Sequence, residues 1–128
     1  MVTVNRDLPK LRTRGITEAN AIVGRVRTAH ITPIPGQEWI YQQKEEEARA
    51  FLAGDYSREF NFLYAEARGD VTATARRILN RANAVRVALA NLETHRMNAL
   101  EAIADATTQP EIDAALSTLS SAVEHLEP

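Results

Sequence analysis

The spacing of apolar residues changes along the chain, and each change marks an element. Residues 1–15 have no helical period: Val2 and Val4 alternate with Thr3 and Asn5, and Pro9 and Gly15 then break the run. This predicts an extended N-terminal arm. From Ile16 to His30 the apolar positions Ile16, Ala19, Ile22, Val23, Val26 and Ala29 fall at helical spacing, with Thr17 as the expected N-cap. The segment Thr32-Pro33-Ile34-Pro35-Gly36 ends that helix, because each proline lacks a donor and biases its predecessor away from the helix. A second helix is expected from about Glu38 to Ala53, with Gly54 as its left-handed stop. Ile40, Tyr41, Ala48, Phe51 and Leu52 would share its inner side, and Lys44 to Glu47 would face water. A short helix around Phe60 to Arg68 follows, closed by Gly69.

The strongest pattern runs from Val71 to about Ala106, where there is no glycine or proline. One seam position reads Ala75, Ala82, Leu89, Arg96, Ile103; the other reads Ile78, Val85, Leu92, Ala99, Ala106. A seven-residue repeat kept up for this length predicts one long helix in a bundle or coiled-coil seam. Arg96 interrupts the seam, so its stem would reach the edge or an acid would meet it across an interface. The following helix is too short to cover this seam, which makes Ile78, Val85, Leu89 and Arg96 a candidate protein interface and predicts a homo-oligomer. Thr108-Gln109-Pro110-Glu111 has capping-box spacing with proline in the first turn, and Ile112, Ala115, Leu116, Leu119, Ala122, Val123 and Leu126 form one stripe after it. The predicted fold is all-α. It is a helical bundle with a long central helix over about 71–106 and an antiparallel C-terminal helical hairpin, preceded by the extended arm. Two parts are expected: a basic arm over 1–15 and one helical domain over 16–128. In the hairpin Leu92, Leu100 and Ile103 would meet Leu116, Leu119 and Val123.

Composition sharpens this picture in a few places. The apolar fraction of 45% is globular but leans on alanine, which favours helices and buries little surface. Such helices often complete their core with a neighbour. All the aromatic residues lie between Trp39 and Tyr64, which marks a local mini-core, with an aromatic ligand pocket as the competing reading. No cysteine is present, which removes disulfides and thiolate chemistry. No apolar run reaches the roughly 18 residues that span a bilayer, and the N-terminus lacks the apolar stretch of a signal peptide. The chain is therefore expected to be made and kept in a cytoplasm unless exported within a particle. Charge is uneven: residues 1–30 hold six Arg or Lys against two acids, and residues 91–128 hold one Arg against seven acids. Head-to-tail attraction between copies would use that asymmetry; a solvated tail and helix face would not.

The chain carries little recognisable catalytic or ligand-binding chemistry. His30, His95 and His125 each stand alone in their segments, and no HExxH or Glu-x-x-His pattern occurs. Glu45-Glu46-Glu47 cannot converge on a metal, since consecutive helical residues point about 100° apart. The glycines are isolated, no GxSxG occurs, and the serines have no neighbouring base. The expectation is no enzyme, no cofactor and no metal. Arg76, Arg77, Arg81 and Arg86 follow one another on the long helix, but a pI near 5.9 and the lack of a helix-turn-helix argue against nucleic acid.

One segment carries a resemblance. Ile31-Thr32-Pro33-Ile34-Pro35-Gly36-Gln37, followed by Tyr41-Gln42-x-Lys44-Glu45-x-Glu47-Ala48-Arg49-Ala50-Phe51-Leu52, resembles small tailed-phage proteins described as tail or tail-fibre-associated. In these a Pro-Gly-Gln loop and a Tyr-x-x-Lys-Glu run precede a long alanine-rich helix. Phe62-Leu63-x-Ala65-Glu66-Ala67 and Ala102-Ile103-x-x-Ala106-Thr107-Thr108 continue the likeness, which covers about residues 25–120. This chain has His30 where those proteins usually carry an aromatic, and its basic arm lies outside their pattern. The resemblance implies a structural component of a virion (tail, fibre or connector-associated), with other phage structural proteins as partners and no membrane. A tail-fibre assembly chaperone absent from the mature particle is the second reading, and a nucleic-acid-binding phage regulator the third. No catalytic residue is attached to the motif, so none carries over.

Overall fold

The computed structural model describes residues 6–128 of the chain, and among these it is all-helical, with no strand. Five α-helices follow one another: α1 (Leu8–Ala29), α2 (Gln37–Leu52), α3 (Asn61–Glu66), α4 (Val71–Asp105) and α5 (Gln109–Val123), with a 3₁₀ turn at Glu124–Leu126. The chain divides into two compact units. One comprises the chain up to His30 together with Ala88–Pro128; the other is Ile31–Val87. The sequence pattern predicts a single domain over 16–128, whereas α4 gives its first half to one unit and its second half to the other. No residue between Leu79 and Asn91 is buried, so the middle of α4 contributes to neither core in full.

The expected N-terminal arm needs correction. Its first five residues lie outside the described part, but from Leu8 onward the chain is already helical, one continuous helix through the expected Thr17 cap. Two misread residues explain the difference. Pro9 sits in the first turn, where its missing donor costs nothing. Gly15 is buried inside the helix because a Cβ there would lie 2.9 Å from Ile112 Cγ2 and 3.3 Å from Ile103 Cγ2. It marks a close approach and does not break the helix. Thr17 lies mid-helix, its hydroxyl donating back to the Thr13 carbonyl at 3.0 Å.

The first unit has an aliphatic core. Ala19, Ile22, Val23 and Val26 of α1 meet Leu92, Ala99 and Ile103 of α4 and Ile112, Leu116, Leu119 and Val123 of α5, with Leu100 partly buried against them. Both ends of α1 are tied by hydrogen bonds. Arg12 donates twice to the Ala106 carbonyl just past α4, at 3.0 and 2.6 Å, where a cation also suits the negative end of a helix. His30 Nε2 lies 2.6 Å from the Leu126 carbonyl, to which it must donate. Thr108 caps α5 by accepting from Glu111 N at 3.3 Å. Glu111 reaches back one residue further than the capping box expects, to Thr107 N at 2.8 Å.

The second unit is smaller inside. Ala48, Phe60, Leu63, Ala75 and Ile78 are its buried core. Gly36 precedes α2 at φ +83°, a left-handed residue closing the Pro-Gly-Gln loop. Gly54 ends the helix as the pattern predicts, at φ +76°, with Gly54 N donating to Phe51 O and Asp55 N to Ala50 O in a Schellman arrangement.

Candidate protein interface

The four seam residues singled out from the heptads do not form one surface. Ile78 is 7% exposed in the second unit's core, so it is already used inside the chain. Val85 is half-buried on the same half of α4. Leu89 packs partly against the first unit's aliphatic core. Arg96 finds its acid on its own helix. It donates to both oxygens of Glu93 at 2.9 Å, and to Asn20 Oδ1 of α1 at 3.1 Å. The bond to Glu93 raises the arginine's pKa, and the same bond to Arg96, ahead of Arg27, holds the Glu93 carboxyl below its usual range. No acid from a partner is needed to balance Arg96. Heptad spacing locates α4 well, yet it cannot say which neighbour covers a seam position.

The polar run on α2 also departs from the sequence pattern. Lys44 to Glu47 do not simply face water. Glu47 is 2% exposed and accepts from Phe62 N at 3.0 Å and Leu63 N at 3.2 Å, so it caps the N-terminal turn of α3 from another helix. Lys44 donates to Glu66 of α3 at 3.1 Å, and Arg77 of α4 reaches the other oxygen of Glu66 at 3.4 Å. Glu45 pairs with Arg49 at 2.9 Å and with Arg86 of α4. Hydrogen bonding to Arg86 is the main reason the Glu45 carboxyl lies below its usual range. At Glu66 burial pushes the other way, and the Lys44 and Arg77 bonds outweigh it, so its pKa is lowered too. The Tyr-x-x-Lys-Glu segment is thus built into the packing of α2, α3 and α4. Arg77 and Arg86 are also drawn into it, which leaves the basic run of α4 less free for phosphate.

What the second unit does expose is apolar. Ile31 (40%), Ile34 (57%), Trp39 (56%) and Tyr41 (42%) stand out of the α1–α2 loop and the first turns of α2. Trp39 and Tyr41 are held in place by neighbouring side chains. The Trp39 ring meets Phe62 edge-on at 5.4 Å, the Tyr41 hydroxyl lies 2.7 Å from Thr32 Oγ1, and Lys44 Nζ sits 5.8 Å from the Tyr41 ring centre. At the other end of α2, Phe51 and Phe60 pack edge-on at 5.6 Å and carry Tyr56 (66% exposed) and Tyr64 (52% exposed) on their outer side. Four of the seven aromatic side chains are therefore exposed, Phe51 and Phe62 are half-buried and Phe60 alone is buried, where the sequence pattern marks the cluster mainly as core. A signal was present: Trp39, Ile40 and Tyr41 are consecutive, and at about 100° per residue three large side chains in a row cannot all turn inward. Fixed aromatics half out in solvent are the residue types that anchor protein contacts.

Comparison with known protein families, curated proteins and solved structures finds no match. Among the described residues no three His, Asp or Glu side chains come together to hold a metal ion. No described helix is long and apolar enough to cross a membrane.

Proposed function

We propose that this chain is a structural component of a tailed-phage virion, in a tail, fibre or connector-associated position, acting through protein contacts in multiple copies. The observation that carries the reading is the exposed apolar content of the second unit: Ile34 and Trp39 beside the start of α2 and Tyr56 past its end are each more than half exposed, with Trp39 packed edge-on against Phe62 and Tyr56 against Phe51. Exposed aromatic side chains held in fixed positions are suited to contacts with a partner protein. The phage assignment rests on the resemblance of the Pro-Gly-Gln and Tyr-x-x-Lys-Glu segment. The polypeptide is synthesised in the host cytoplasm and carried in the particle. The second half of α4 and α5, joined only by residues 106–108, are read as an antiparallel hairpin that forms the rigid body of each copy.

Mass spectrometry of purified particles, stripped of loosely bound material, tests the assignment. The polypeptide is expected in stoichiometric amount. Particles that lack it while infected cells contain it would replace this reading with that of a tail-fibre assembly chaperone.

A further inference from the structure

Between the second half of α4 and α5, the first unit carries an open groove of about 430 Å³. Its floor is Ala99, Ala115 and Leu119, its walls include Ala102 and Ala114, and Glu111 lines one end. Glu101 and Asp105 are exposed on the adjacent turns of α4, outside the groove lining, and neither is in an ion pair among the described residues. The groove is therefore open, lined by small apolar side chains together with His95, Asn98 and Thr118, and carries the acid Glu111 near the passage from α4 into α5.

The outward face of α1 has the opposite character. Opposite its buried side lie Lys10, Thr17, Ala21, Gly24 and Thr28, flanked by Arg14 and Arg25, with Glu18 the single acid within α1. Among the described residues none of Lys10, Arg14 or Arg25 is in an ion pair, and Arg27 is the one residue of α1 that pairs with an acid of the C-terminal stretch, Glu93 at 3.2 Å. The charge asymmetry of the sequence is thus left mostly unspent within one copy. Gly24 adds a separate observation. A glycine inside a helix costs about 1 kcal/mol relative to alanine. At Gly15 two isoleucines account for it, but a Cβ at Gly24 would meet nothing within 4 Å. The open space at Gly24 leaves room for a neighbouring backbone to come close.

We infer that the outward face of α1 in one copy docks into the α4–α5 groove of a second copy, in a head-to-tail contact. Lys10 and Arg14 lie over Glu111 and Asp105. At about 1.5 Å per residue, Thr17 and Ala21 then fall opposite the stretch of α5 from Ala115 to Ala122. The two small-residue surfaces let the helices approach closely, and the charges set the direction. Because the two surfaces are different, the contact does not close on itself as a twofold dimer does; it generates a ring or an open chain of copies. This deepens the reading of a protein that acts in repeated copies, and it does not depend on which particle holds them.

Sedimentation velocity on the full chain, from low to high micromolar concentration and at low and high salt, tests it. Species larger than a dimer are expected, growing with concentration and weakened by salt, because the paired charges are exposed. Ala102→Trp, at an exposed position that fills the groove, is expected to abolish them while leaving helix content unchanged. Arg14→Asp or Asp105→Arg alone should weaken assembly by about tenfold or more, and mixing the two variants should restore it. A strictly monomeric wild type, a closed dimer with nothing larger, or assembly untouched by Ala102→Trp would each overturn the inference. Absence of the polypeptide from virions bears on the proposed function alone.

Discussion

The two units use different means to hold their helices together. In the first, large aliphatic side chains from α1, α4 and α5 are fully enclosed, Leu92, Ile103 and Ile112 each at 0% exposure. In the second, only Leu63, Ala48 and Ala75 reach that level, and charged side chains bridge the helices instead. The lesson concerns what each arrangement leaves outside. A unit that fills its interior with aliphatic side chains can present a polar surface. A unit whose interior takes in Glu47 and half-buries Lys44, Glu45 and Glu66 pushes part of its aromatic content outward, where partners can reach it.

The largest expected effect lies in the aliphatic unit. Leu92→Ala or Leu119→Ala should cost about 2–5 kcal/mol in a denaturant titration, since each leaves a void in an enclosed site. A cost below that of trimming Trp39 would mean the core had been placed in the wrong unit. Next comes Gly15→Ala. The added methyl would sit 2.9 Å from Ile112, so a loss of about 1–3 kcal/mol is expected despite the better helix former. Gly24→Ala, with open space around it, should instead raise the melting temperature of the dilute protein.

Glu47→Ala should cost about 1–3 kcal/mol, because it leaves two amides of α3 without their acceptor. Hydrogen exchange should quicken first at Phe62 and Leu63, and uniform quickening across both units would refute a local cap. Acid should reveal the contrast more gently. Glu45 and Glu66 have folded pKa values below the ordinary 4.5, so their stabilisation is present above that pH and lost as pH falls through the lowered values. Exchange protection in Ile31–Val87 should therefore fall before that of α1 and α5 as pH is taken below about 4.5; the opposite order would show that the bridges carry little. Smallest of all, Glu46→Ala should stay within about 0.5 kcal/mol, as it makes none of these bridges.

Much of the molecule was legible in its sequence. Long α4, the Thr108 cap, the Gly54 stop and the α5 stripe all depend on residues near one another in the chain, where spacing and propensity carry the information. The residues misread are those whose partners are distant. Pro9 and Gly15 have the same local chemistry whether they break a helix or begin and pack one. Only the approach of Ile103 and Ile112 decides for Gly15. Glu47 reads as one of three solvated acids until α3 brings its amides against it. Arg96 looks like a seam defect until Glu93 and Asn20 are found beside it.

The sequence by itself determined that the chain is helical, where most helices stop, and which side chains want to be enclosed, because backbone preference and apolar period act over a few residues. Tertiary structure alone decided which surface each stripe meets. It divided α4 between two cores, turned a conspicuous acidic run into the joint between α2, α3 and α4, and left Trp39 and Ile34 outside. The physical reason is that burial and pairing are properties of two surfaces together. A periodic sequence specifies only one of them.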